Sequence, residues 1–129
     1  MLVELLVATG LVLLTVLLHG IGITGLGRLF RSRVLAPGAQ HTHPLSPRAL
    51  GFSLVIVLGL FALHATEIWI YGLFYHFVGA LPDLREAVYF STISYSTVGF
   101  DDEGIQEAWK LVAAIESVNG IILLGWSTA

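Results

Sequence analysis

The sequence predicts an all-α integral membrane protein with three membrane-crossing helices and one short re-entrant helix. Three observations predict it. The 129-residue chain is 56% hydrophobic and only 12% charged, roughly half the charged fraction of an ordinary soluble domain. Its apolar residues fall in three long blocks, each able to cross about 30 Å of hydrocarbon. Between the second and third blocks lies an apolar stretch too short to span. No cysteine is present, which excludes a disulfide framework and thiolate metal sites.

The first block runs from Leu5 to Ile23 and contains His19 but no Asp, Glu, Lys or Arg. We assign residues 1–24 to an N-terminal transmembrane helix. The run is longer than a signal-peptide core and no basic residue precedes it, which disfavours cleavage. Residues 25–49 read as a linker: Pro37, Gly38, Pro44 and Pro47 punctuate it, and Arg28, Arg31, Arg33 and Arg48 make it basic with no acid. Arginine bias sets topology, so this linker is expected in the cytoplasm. The N-terminus is then outside and the C-terminus inside, in a multi-pass protein of the cell membrane.

The second block, residues 50–81, is interrupted by His64, Glu67 and His76 and is expected to end at Pro82. Its length calls for tilt or an exit above the bilayer. The third, residues 106–129, carries Glu116 and Asn119. It stops at Trp126-Ser127-Thr128-Ala129 with no basic residue behind it, which suggests a chain cut short or ending at the interface. Residues 84–95 suit a re-entrant helix, with Asp83 as its cap and Glu86 in its first turn. Irregular backbone at membrane depth persists only where protein or water covers it.

The run Ser96-Thr97-Val98-Gly99-Phe100-Asp101-Asp102 follows this helix directly. With Ala87-Val88-Tyr89-Phe90-Ser91-Thr92-Ile93-Ser94-Tyr95 before it, it resembles the pore helix and Thr-Val-Gly-Tyr-Gly filter of the potassium-channel superfamily. The resemblance covers residues 50–129. It implies an outer helix at 50–81, a pore helix at 84–95, a filter at 96–102 and an inner helix at 106–129. Carbonyls of Thr97, Val98, Gly99 and Phe100, with the Thr97 hydroxyl, would hold a dehydrated K+. Alternate filter residues need positive φ, which Gly99 supplies cheaply. One loop supplies a quarter of the ring, so the resemblance implies a homotetramer. Tyr89 and Phe90 would pack around the filter, and Asp102 would anchor it to the pore helix.

Asp101 departs from the family, which carries glycine there. Aspartate enters left-handed geometry less readily, and four copies would ring the outer mouth with negative charge. Three outcomes stay open: a potassium filter with one altered site, a weakly selective pore that also passes Na+, and a collapsed filter in a non-conducting subunit. Glu67 and Glu116 read either as filter supports or as paired structural carboxylates. Asn119 reads as a cavity residue or a packed contact, and Gly120, with Gly125 beyond it, as a gating hinge or a close-packing site.

His19, His64 and His76 lack metal-like spacing, so interior hydrogen bonding is expected for each. His41-Thr42-His43 is a weak metal pair. Trp69, Tyr71, Tyr75, Trp109 and Trp126 read mostly as headgroup anchors. No spacing fits a catalytic arrangement, a cofactor or nucleic acid. The expected partners are membrane lipids, monovalent cations and three further copies of the chain.

Overall fold

A computed structural model describes residues 1–35, 46–99 and 103–129. Within them the chain is all helical, with the order α1 (Leu2–Val34), α2 (Pro47–Phe77), α3 (Leu84–Tyr95) and α4 (Lys110–Thr128). A 3-10 turn at Glu107–Trp109 leads into α4. Three helices are long and apolar enough to cross a membrane. The protein is a multi-pass membrane protein.

The burial pattern is that of a body in lipid. Leu6, Leu13, Leu17, Ile21, Val57, Phe61, Ile121 and Ile122 are exposed, whereas Thr15, His19, Glu67, Ser91, Glu116 and Asn119 are buried. Water would punish both arrangements; hydrocarbon rewards the first and forces the second to pair internally. The inward residues recur at helical spacing: Glu67, Tyr71 and Tyr75 on α2, Glu116, Asn119 and Leu123 on α4.

Cross-helix pairs fix the directions. Tyr75 meets Glu116, Tyr71 meets Asn119 and His64 meets Ser127, so α2 and α4 are antiparallel. Phe30 stacks near Phe52 and His19 meets Glu67, so α1 and α2 are antiparallel too. Helix α3 runs beside α4 and against α2. Phe90 packs edge-on against Tyr75, and the Tyr95 hydroxyl reaches Glu67. Glu67 lies ten residues before the end of α2 at Phe77, roughly 15 Å along the helix. The short helix therefore ends well before the far end of the bundle, with its Tyr95 hydroxyl level with Glu67.

Several helix boundaries differ from expectation for local reasons. Helix α2 ends at Phe77, not at Leu81 before Pro82. Gly79 takes φ +70°, its N–H bonds the His76 carbonyl and the Ala80 N–H bonds the Tyr75 carbonyl. This glycine-terminated cap stops the helix before proline is reached. At the other end α2 begins three residues earlier than expected, because Ser46 caps it and Pro47 takes the first turn. Helix α1 continues to Val34, so residues 25–34, expected as linker, are helical. Arg31 and Arg33 in its last turn complement the helix dipole. The remaining linker residues 36–45, including His41 and His43, lie outside the described residues.

Asp83 caps α3 as its position suggests, accepting from the Arg85 and Glu86 N–H groups at 2.7 and 3.2 Å. Gln106 ties the approach to α4 back to the α2 turn, donating from Nε2 to the Gly79 carbonyl at 2.8 Å.

Candidate functional site

Helix α3 is gripped by two glycines. A Cβ at Gly72 of α2 would lie 2.9 Å from Val88 Cγ2 and 3.0 Å from Val88 Cα. A Cβ at Gly120 of α4 would overlap the Tyr95 carbonyl and sit 2.9 Å from its carbon. These are backbone approaches that a side chain would prevent. Gly120 is thus a close-packing position.

Hydroxyls then fix the helix between its neighbours. The Ser91 hydroxyl lies 2.9 Å from the Ile68 carbonyl and 2.5 Å from Glu116 Oε1. Tyr75 donates to Glu116 Oε2 at 2.6 Å. Glu116 is fully buried and links α2, α3 and α4 through these contacts. Phe90 is buried against Tyr75, but Tyr89 is two-thirds exposed, so the expected aromatic pair splits between interior and periphery. Ser94 is buried with an unpartnered hydroxyl.

At the foot of α3 the chain turns outward. Thr97, Val98 and Gly99 are exposed. The left-handed backbone expected at Gly99 falls at Thr97, with φ 59°. A β-branched residue there is strained by about 1–3 kcal/mol. Phe100, Asp101 and Asp102, central to the sequence reading, lie outside the described residues.

Asn119 does not face open space. Its Nδ2 donates to Thr15 Oγ1 at 2.8 Å and to the Tyr71 hydroxyl at 3.3 Å. The reason is α1, which covers this face of α4. Tyr71 and Tyr75 are fully buried rather than in a headgroup belt, because they share the inward stripe with Glu67. Trp109 packs edge-on against Phe74, and Trp126 stacks near His19.

The residues that sequence reasoning kept apart come together at the foot of α3. His19 of α1, His64 and Glu67 of α2, Tyr95 of α3 and Ser127 of α4 form one cluster. His19 Nδ1 is 2.8 Å from Glu67 Oε1, and His64 Nδ1 is 3.2 Å from Glu67 Oε2. Tyr95 donates to Glu67 Oε2, and its oxygen is 2.9 Å from His64 Nδ1. Ser127 Oγ bridges His64 Nε2 at 2.9 Å and His19 Nε2 at 3.2 Å. His19, His64 and Glu67 present ligand atoms within 4.8 Å of one another. The interior hydrogen bonding expected of the histidines is found for His19 and His64, whereas His76 Nδ1 is buried without a partner. The available signal was His64 and Glu67 at i and i+3, which share a helix face; the partner His19, 48 positions from Glu67, had none.

A family model described as an ion channel matches residues 63–129, more than half of the chain. The chain belongs to the ion-channel family. No curated protein and no solved structure matches it. The match takes in most of the inward stripe of α2, all of α3 and all of α4, and leaves α1 outside. This channel-family membrane protein is accordingly not an enzyme; its polar interior is built from hydrogen bonds between helices.

Proposed function

We propose that this chain is one subunit of a homotetrameric cation channel, with potassium as the favoured ion. Residues 96–102 of four copies form the filter, α3 is the pore helix, and residues 50–81 and 106–129 bracket it as outer and inner helices. Residues 1–24 form an added helix, joined by the basic linker 25–49. Thr97, Val98, Gly99 and Phe100 hold the ion through their carbonyls, with the Thr97 hydroxyl at the inner mouth. Asp101 sets charge at the outer mouth, and Asp102, Tyr89 and Phe90 support the loop.

The observation that carries this reading is the early stop of α3, at Glu67 of α2 and Gly120 of α4. A 12-residue helix ends inside an apolar bundle and delivers an exposed Thr-Val-Gly string there. Val98 is 80% exposed, and lipid cannot satisfy irregular backbone at that depth. Further copies of the same string around an axis can. The C-terminal end of α3 also carries the negative pole of its dipole, which favours a cation nearby. Glu67 and Glu116 hold α3 from behind and so act as filter supports. The arginines of the linker put that side in the cytoplasm and both the N-terminus and the filter mouth outside.

The test is ion flux from liposomes holding purified protein, with K+ and Na+ gradients compared. Potassium-selective flux from a tetramer is expected, and Asp101→Gly should raise the K+ to Na+ preference. Equal K+ and Na+ flux from the wild type would replace potassium selectivity with the acid-ringed, weakly selective pore. Monomeric protein without flux would overturn the channel reading.

A further inference from the structure

We propose that His19, His64 and Glu67 form a divalent transition-metal site of the zinc class, buried behind the foot of α3, with Tyr95 as a fourth donor. The argument is one of proton counting. Ser127 has one hydroxyl proton, with the Leu123 carbonyl at 3.1 Å and the two imidazole Nε2 atoms at 2.9 and 3.2 Å. When that proton goes to Leu123, the Ser127 oxygen accepts from both imidazoles and each neutral ring carries its proton on Nε2. In that arrangement both Nδ1 lone pairs face the Glu67 carboxylate, 2.8 and 3.2 Å away.

Acceptors facing acceptors at that range repel unless a cation lies among them. The Tyr95 hydroxyl lies within reach of both Glu67 Oε2 and His64 Nδ1. Two imidazole nitrogens, a carboxylate and a phenol oxygen thus converge on one point, where a cation can join them. The His64–Glu67 separation of 3.2 Å matches the roughly 3.3 Å edge of a tetrahedron with bonds of about 2.0–2.1 Å, and the shorter His19–Glu67 and Tyr95–Glu67 contacts must open slightly to admit an ion. Mixed imidazole and carboxylate donors favour zinc-like ions over magnesium or calcium. Ser127 supplies what ligating histidines require, an acceptor for the other ring N–H.

The site would join α1, which lies outside the family match, to α2 and α3 within it. Tyr95 is the last residue of α3, directly before the Ser96-Thr97-Val98-Gly99 string. Occupancy would thus bear on that string through one side chain; this regulatory consequence rests on the channel reading, whereas the metal site does not.

The experiment measures metal directly. Wild-type protein in detergent, stripped with a chelator and dialysed against Zn2+, should retain about one zinc per chain by elemental analysis. Co2+ in place of Zn2+ should give the strong visible absorption of tetrahedral cobalt. His64→Gln, which keeps hydrogen-bonding capacity, should abolish that band. Ser127→Ala should keep it and weaken affinity by about 10–100-fold. A folded wild type that retains no zinc and shows no cobalt band would overturn the site and leave an extra proton as the bridging cation. So would a band of equal strength in His64→Gln. Neither readout uses ion flux, so failure of the site and failure of the channel reading are distinguishable.

Discussion

Gly120→Ala sets two effects of opposite sign against each other. Glycine inside a helix costs about 0.5–1 kcal/mol relative to alanine. On local grounds alone the substitution should stabilise α4. The new methyl, however, would overlap the Tyr95 carbonyl oxygen and stand 2.9 and 3.0 Å from its carbonyl carbon and Cα. Ordinary contact begins near 3.4 Å, so α3 and α4 must part by at least half an ångström. The obstructing atoms are backbone, not a side chain able to rotate away. Overpacking of this kind costs about 1–3 kcal/mol. Separation also stretches the Ser91–Glu116 contact, where a membrane hydrogen bond adds roughly 0.6 kcal/mol. The balance is a net loss of about 1–2 kcal/mol. Thermal unfolding in detergent, followed by circular dichroism, measures it. A Gly120→Ala protein as stable as wild type, or more so, would refute the close-packing argument and restore the hinge reading.

Glu116 offers a contrast between two substitutions. Glu116→Gln should be tolerated within about 1 kcal/mol, since the amide can donate to Ser91, free the Ser91 proton for Ile68 and still accept from Tyr75. Glu116→Ala strands the buried Tyr75 hydroxyl and opens a void, with an expected loss of about 2–4 kcal/mol in the same unfolding assay. Orientation can be tested without removing native thiols, because the chain has none. Cysteine at Arg31 should react with an impermeant maleimide only from the cytoplasmic side, and cysteine at Glu107 only from outside; the reverse pattern would invert the topology.

The membrane class and the existence of all four helices were legible in the sequence, because long apolar blocks leave few alternatives in lipid. The extent of α3 was legible too, since Asp83 is a strong cap and the apolar stretch ends at Tyr95. Helix ends were less so: Gly79 acts before Pro82, and Ser46-Pro47 was overlooked as a start signal. The polar interior was the least legible. Glu67, His19 and Ser127 are distant in sequence, and only the docking of α1 and α4 on α2 brings them together. Tyr71 and Tyr75 looked like headgroup anchors because tyrosine is common there, yet their spacing with Glu67 places them on the inward stripe. Asn119 read equally as a cavity residue or a packed contact, because the presence of α1 over it carries no local signature.

Helices α1 and α2 have 33 and 31 residues, roughly 50 and 46 Å of rod. A hydrocarbon slab of about 30 Å cannot sheathe either along its whole length. The surplus falls at the arginine-bearing end, where Phe30 and Phe52 still touch. The two rods therefore leave the slab together as a stiff mast with guanidinium groups along it. Bending that mast would turn the same rod that carries Glu67.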